Sequence, residues 1–224
     1  MRVVAIIQVR TGSTRLPGKA LLPLAGKTMT DNIIERVKRA TKVHEVVLAV
    51  PHEDREAFRL VDCGLYPHVG PANDLVERYE RAADLWNADI VVRVPGDNPC
   101  VDPTYIDVAV EHYLNQPCIF YTNTTGIVGE FTIDGLGCEV LSMSRLRWLD
   151  RITKGNPAWR EHPHLWFFEH GVSLPDATLR LDVNTKEDYD RLKALYQHFG
   201  HNQFTVNDIY DYHRKEGFSG TEQQ

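Results

Sequence analysis

A chain of 224 residues, 42% hydrophobic and 25% charged, has the composition of a globular protein and excludes a fibre or a disordered polymer. At this length folding buries roughly 70% or more of the unfolded surface, so the core needs no disulfide or metal staple. Lys and Arg number 25 against 31 Asp and Glu, a formal charge of -6 with no basic tail, which excludes the broad footprint of a nucleic-acid binder.

Four cysteines, Cys63, Cys100, Cys118 and Cys138, stand far apart without a Cys-x-x-Cys pair. That is the usage of free thiols in a reducing, cytoplasmic setting. Residues 1–8 are too short before Arg10 for a signal peptide, and no window approaches ~18 consecutive apolar residues, so no membrane partner is expected.

Val3 to Ile7 is a continuous β-branched run, the pattern of a strand buried on both faces of a parallel sheet. After a polar, Gly-containing stretch, Thr30 or Asp31 is expected to cap a helix carrying Ile33, Ile34, Val37 and Ala40. Alternation then predicts a strand over 46–50, a helix over 53–63, a short strand over 66–69, a helix over 74–86 and a buried strand over 90–94. This is the rhythm of a doubly wound α/β sheet. Asp102-Pro103 starts a helix with Ile106, Val110 and Tyr113 on one face. Strands are expected over 119–122 and 138–141, separated by a Gly-rich segment over 124–137. Residues 142–171 read as mostly helical, 178–183 as a strand and 187–199 as an amphipathic helix. With no repeat and no linker, one domain over 1–216 with a polar tail over 217–224 is expected.

The most informative segment follows the first strand: Gln8-Val9-Arg10-Thr11-Gly12-Ser13-Thr14-Arg15-Leu16-Pro17-Gly18-Lys19. Glycines let backbone N–H groups approach an anion, and Arg10, Arg15 and Lys19 can neutralise a polyphosphate and its leaving pyrophosphate. A Walker A loop needs four residues between its glycines and Ser or Thr after the Lys; here Ala20 follows Lys19 and the glycine spacing differs. No GxGxxG is present either.

These residues carry a resemblance. IIQVRTGSTRLPGKALLPLAGK is similar to the opening of the cytidylyltransferase family, which includes the synthetases activating ketodeoxyoctulosonate and sialic acids with CMP, and most closely its spore-coat polysaccharide biosynthesis branch. The similarity continues through NDLVERY at 73–79, VRVPGDNPCVDP at 92–103, DGLGCEVLS at 134–142, REH at 160–162 and LRLDVNTKEDY at 179–189. It implies an α/β, Rossmann-like three-layer nucleotidyltransferase fold on a mixed, mostly parallel sheet. It implies Mg²⁺-assisted transfer of CMP from CTP to a small acceptor, with pyrophosphate released. Gln8, Arg10, Gly12, Ser13, Arg15 and Lys19 would hold the nucleotide, joined by Asp74 and Arg78, with Arg10, Lys19 and Asp97 catalytic. The chemistry agrees: nucleotidyl transfer needs in-line attack and charge neutralisation but little covalent participation by the protein. The resemblance leaves the oligomeric state open, a homodimer being the common form among family members of this kind.

Asp97 follows a strand in a Pro/Gly-flanked turn, which holds a short carboxylate at the pocket lip and suits a Mg²⁺ ligand. Asp182-Val183-Asn184 is expected to supply the second ligand set, because residues two apart on a strand point the same way. The family usually carries Asp where Asn184 stands, and the spore-coat branch often lacks an acid at Asp182; this chain has exchanged them. Asp182 is therefore expected to be the principal partner of Asp97, with Asn184 a neutral, weaker ligand.

Asp74 and Arg78 are spaced for an i,i+4 ion pair. Arg93, Asn123, Glu139, Arg160 and His162 are acceptor-binding candidates, permitting a sugar, a sugar acid or another phosphorylated or carboxylated acceptor. His162 and His164 do not make a zinc site, having no third His or Cys nearby. Cys100 has no cation close in sequence to activate a thiolate. Trp148, Trp159, Trp166, Phe167 and Phe168 read as core or subunit-contact residues. Two alternatives stay open: a sugar-1-phosphate nucleotidyltransferase using another NTP, and a catalytically inactive regulatory homologue.

Overall fold

The computed structural model describes residues 1–116, 118 and 120–216. The 217–224 tail and Ile119, part of the strand expected over 119–122, lie outside them.

The chain opens with β1 (Val3–Gln8), followed by the basic loop and a 3-10 turn at Lys19–Leu21. The ribbon β2 (Pro23–Leu24) and β3 (Lys27–Thr28) leads into α1 (Met29–Lys38). Thr28 and Asp31 form its capping box, two residues earlier than expected, because the Thr30 hydroxyl donates to the buried Ala20 carbonyl instead. β4 (Glu45–Pro51) precedes a 3-10 segment at His52–Phe58, where an α-helix over 53–63 was expected. Only Asp54 and Phe58 are buried there, so the segment lacks the apolar stripe that stabilises a surface α-helix.

β5 (Gly64–His68), α2 (Leu75–Leu85), β6 (Ile90–Pro95) and α3 (Pro103–Asn115) follow close to the expected bounds. β7 (Tyr121–Thr122) precedes an unanticipated hairpin inside the Gly-rich segment, β8 (Thr125–Val128) and β9 (Phe131–Asp134). Next come β10 (Glu139–Ser142) and the helices α4 (Met143–Thr153), α5 (Pro157–Glu161) and α6 (Pro163–Glu169). The strand expected over 178–183 is only β11 (Leu179–Arg180); α7 (Lys186–Phe199) and an unforeseen α8 (Val206–Glu216) end the described chain.

The main sheet runs β5-β4-β1-β6-β10-β7. β5, β4, β1 and β6 are parallel, while β10 is antiparallel to both β6 and β7. β1 therefore lies centrally, and its alternate side chains enter two cores. Val3, Ala5 and Ile7 pack with residues of α1, α3 and α7, whereas Val4 and Ile6 pack with α2 and α4. Each of the buried Val and Ile side chains among these contributes roughly 1.5–3 kcal/mol of transfer free energy. The result is a three-layer α/β sandwich with β1 and β6 delivering their carboxyl ends side by side, where open α/β sheets bind ligands. Gly96 permits that closeness: a Cβ there would stand 1.9 Å from the Gln8 carbonyl oxygen. A small second sheet, β11-β9-β8, walls the same end. Among the described residues no helix is long and apolar enough to cross a membrane.

Candidate active site

The basic loop is organised around Thr11. Its carbonyl accepts from Ser13 N–H at 3.0 Å and Gly18 N–H at 2.9 Å, and Gly18 adopts φ +71°, a left-handed conformation that glycine takes without strain. Its own N–H and hydroxyl donate to the Asp54 carboxylate at 2.8 and 2.5 Å. This closed turn leaves the N–H groups of Gly12, Thr14 and Arg15 without an acceptor among the described residues. A Cβ built on Gly12 would meet nothing, so the backbone there is open to an approaching anion.

The cations fan out from this turn. Arg10 bridges Asn73 and Glu161, the latter at 3.3 Å. Arg15 donates to Asn184 Oδ1 at 2.7 Å. Lys19, its side chain 15% exposed, donates to Val183 O at 2.6 Å, Asp97 Oδ2 at 3.2 Å and Asn184 Oδ1 at 3.5 Å. Val183 N–H also donates to the Asp97 carbonyl, which ties the 181–184 segment to the β6 turn. An open cleft of about 190 Å³ is lined by Gln8, Arg10, Ser13, Arg15, Lys19, Arg78, Asp97, Glu161, His162 and Asn184. Arg78 is 1% exposed; burial lowers its pKa, its guanidinium donates to the Ala72 carbonyl, and its Nε has no hydrogen-bond partner among the described residues.

A second cleft adjoins it, with Gln8, Asp97 and His162 shared between the two. Arg93 and Glu139 form its floor, paired at 2.5 Å and almost wholly buried. Burial alone would lower the Arg93 pKa, but the adjacent Glu139 carboxylate raises it above its ordinary value. Gln8 is fixed by the Tyr79 hydroxyl, which donates to its Oε1 at 2.7 Å. His164 Nδ1 lies 3.4 Å from Arg93 Nη1, and because arginine can only donate, the ring accepts and is neutral. Burial, with Arg93 and His162 nearby, pushes its pKa down to about 3. Arg180 grips Asp182 through two hydrogen bonds of 3.0 and 2.9 Å and reaches Asp134 at 3.1 Å. Burial and the Asp182 charge raise the Asp134 pKa.

Several expectations are corrected here. Asp182 and Asn184 do not open on one cleft, although the Asn184 amide donates to Asp182. Asp182 opens on the second cleft with both carboxylate oxygens engaged by Arg180, whereas Asn184 lines the first cleft beside Asp97. The cause is local: only Leu179–Arg180 is strand, so the two-residue alternation expected over 182–184 does not hold. The Asp74–Arg78 ion pair is absent; Asp74 caps α2 through Glu77 N–H and pairs with Arg160 at 2.7 Å. Arg160 also binds Asp150 at 2.9 Å and lines neither cleft. The Asn123 amide is spent on Tyr105 O at 2.7 Å and Cys138 N–H at 3.0 Å, pinning β7 to β10. Asp54 was missed, while Asn73 and Glu161 lay inside the motifs at 73–79 and 160–162 without being assigned to Arg10, which both of them meet. Asp54 sits in a segment whose sequence pattern reads as a surface helix, and only three-dimensional proximity exposes its role.

Whether the residues fit a divalent cation is answered by Lys19. Its ammonium already lies against Asp97 Oδ2 and Asn184 Oδ1 together, so one carboxylate and one amide oxygen converge on a single cation position in an open cleft. That donor set fits Mg²⁺, which takes one or two protein oxygens and fills the rest with water and phosphate. Among the described residues no cluster of three or more His, Cys, Asp or Glu could hold a metal unaided.

Comparison with known proteins agrees with this geometry. The family model described as "Cytidylyltransferase" matches residues 4–219. The spore coat polysaccharide biosynthesis protein SpsF of Bacillus subtilis (strain 168) is 29% identical over 213 residues, covering 88% of each chain. A solved cytidylyltransferase from Leptospira borgpetersenii serovar Hardjo-bovis (strain JB197) superposes with TM-score 0.84 at 30% identity, covering 100% of this chain and 98% of its own. CMP:2-keto-3-deoxy-manno-octonic acid synthetase, solved with CTP, shares the fold at TM-score 0.68 and 18% identity, covering 88% of this chain and 99% of its own.

Proposed function

Because this chain belongs to the cytidylyltransferase family, a family of nucleotidyltransferase enzymes, we propose that it transfers CMP from CTP to a small sugar or sugar-acid acceptor with Mg²⁺, releasing pyrophosphate. The carrying observation is the loop after β1. Three cations and unclaimed N–H groups surround a cleft that meets a second, differently charged cleft at Gln8, Asp97 and His162. The triphosphate would lie on residues 10–19, where Arg10, Arg15 and Lys19 offset the charge that develops on the leaving pyrophosphate. The nucleoside would sit against Leu75 and Arg78.

Asp97 and Asn184 would hold the metal, which when bound neutralises phosphate oxygens. Gln8, immobilised by Tyr79, marks the seam between the clefts. The acceptor would enter the second cleft, over the Arg93–Glu139 pair that floors it. SpsF belongs to spore coat polysaccharide biosynthesis by name, and a surface-polymer sugar suits this cleft. Pyrophosphate release should be measured with CTP, Mg²⁺ and a panel of keto sugar acids, amino sugars and sugar phosphates. Release with CTP and one acceptor class supports the reading; release with another NTP in preference to CTP overturns it.

A further inference from the structure

Asn184 stands on the lip of the nucleotide cleft as a neutral amide, and an amide has two ends of opposite character. Turned one way it offers an oxygen to Lys19, Arg15 and a metal; turned the other it offers an N–H₂ that repels all three. The surroundings decide between them. Oδ1 faces only donors, Arg15 Nη2 at 2.7 Å and Lys19 Nζ at 3.5 Å, while Nδ2 donates to Asp182 Oδ2. Asp182 is itself immobile, 7% exposed and gripped through both oxygens by Arg180.

We propose that Asp182 is a positioning residue that fixes the Asn184 amide with its oxygen toward Asp97 and the bound cation, so that the acid at 182 makes an asparagine at 184 serviceable. The pairing rests on the nucleotide-cleft reading above. It explains why an acid and an amide two residues apart occur in this order: the carboxylate takes the amide nitrogen, and the carbonyl oxygen then has one direction left. Arg180 supplies the anchor, and Asp188, which accepts from Asn184 N–H at 3.0 Å, holds the backbone.

The test is a reciprocal exchange read in two ways, by melting temperature without ligand and by Mn²⁺ affinity in the presence of CTP, followed by electron paramagnetic resonance. Asp182→Ala frees the amide, and Mn²⁺ affinity should fall about tenfold or more, the loss of one charge-assisted hydrogen bond. Asp182→Asn retains one acceptor oxygen and should lose less. Asn184→Asp alone places two carboxylates in contact, so the ligand-free protein should melt lower than wild type. The exchange Asp182→Asn with Asn184→Asp restores the hydrogen bond in the opposite sense, and melting temperature should recover relative to Asn184→Asp while Mn²⁺ binding returns. Unchanged Mn²⁺ affinity in Asp182→Ala, or an exchange that melts as low as the two single losses added, overturns the proposal. Wild type that binds no Mn²⁺ with CTP would instead sink the nucleotide-cleft reading, while the melting temperatures still decide whether the two side chains are coupled.

Discussion

Asp54→Ala tests whether the shape of the basic loop, beyond its charge, prepares it for a triphosphate. The substitution deletes both acceptors of Thr11, at 2.8 and 2.5 Å, from a carboxylate that is 8% exposed. Hydrogen bonds to a charged group are worth about 1.5–3 kcal/mol each. Thr11 is half-exposed and water recovers part of the loss, so a stability cost of about 1–3 kcal/mol is expected, a fall of roughly 2–4 °C per kcal/mol. The sign for ligand binding is the diagnostic part. Removing a negative charge from an anion site should tighten CTP if charge alone mattered. If the loop must instead be reordered at the moment of binding, CTP should weaken by about ten- to a hundredfold, with each 1.4 kcal/mol a factor of ten. Calorimetric titration with CTP and with cytidine separates the two, because the nucleoside makes no demand on the phosphate loop and should bind unchanged. Unchanged or tighter CTP binding would refute the argument.

Other perturbations have equally definite outcomes. Glu139→Ala leaves the buried Arg93 guanidinium without its counter-ion and should destabilise the fold by about 3–5 kcal/mol, checked by urea unfolding. His164 has a folded pKa of about 3 against 6.5 unfolded, so below pH 6.5 the unfolded chain takes the proton and the folded one does not. Stability should therefore fall as pH drops from 6.5 toward 3, by up to about 1.4 kcal/mol per pH unit, and His164→Asn should flatten that part of the melting profile. Gly96→Ala drives a methyl into the Gln8 carbonyl and should cost at least about 1–3 kcal/mol together with activity, checked by thermal melting and pyrophosphate release.

The buried strands were legible because β1, β4 and β6 are dominated by β-branched and other apolar residues, interrupted within β6 only by Arg93. The helix at Pro103 was legible because Asp102 and Pro103 make a self-contained start signal, and Asp102 does accept from Thr104 N–H. What failed was long-range. The hairpin of β8 and β9 draws its third strand from Leu179–Arg180, about fifty residues on, so local pattern alone showed only a Gly-rich segment. At the site, the clustering of Arg10, Arg15 and Lys19 with Asp97 and Asn184 followed from topology, since β1 and β6 are neighbours. The misjudgement of Asp182 came from assuming regular strand alternation where the chain leaves the sheet, and Asp54 was invisible because its partner Thr11 lies 43 residues away.

The central claim, that the loop following β1 and the lip formed by Asp97 and Asn184 make a CTP site, is tested most directly by titrating the protein with CTP, UTP, ATP and GTP in the presence of Mg²⁺. At a hundredfold excess over its dissociation constant CTP should stabilise the fold by about 2.7 kcal/mol, a rise of roughly 5–10 °C for a chain of this size, while the other three shift it far less. Lys19→Met, which keeps the stem and removes the charge, should lose most of that rise. Equal shifts with all four triphosphates, or no shift with any, would contradict the account.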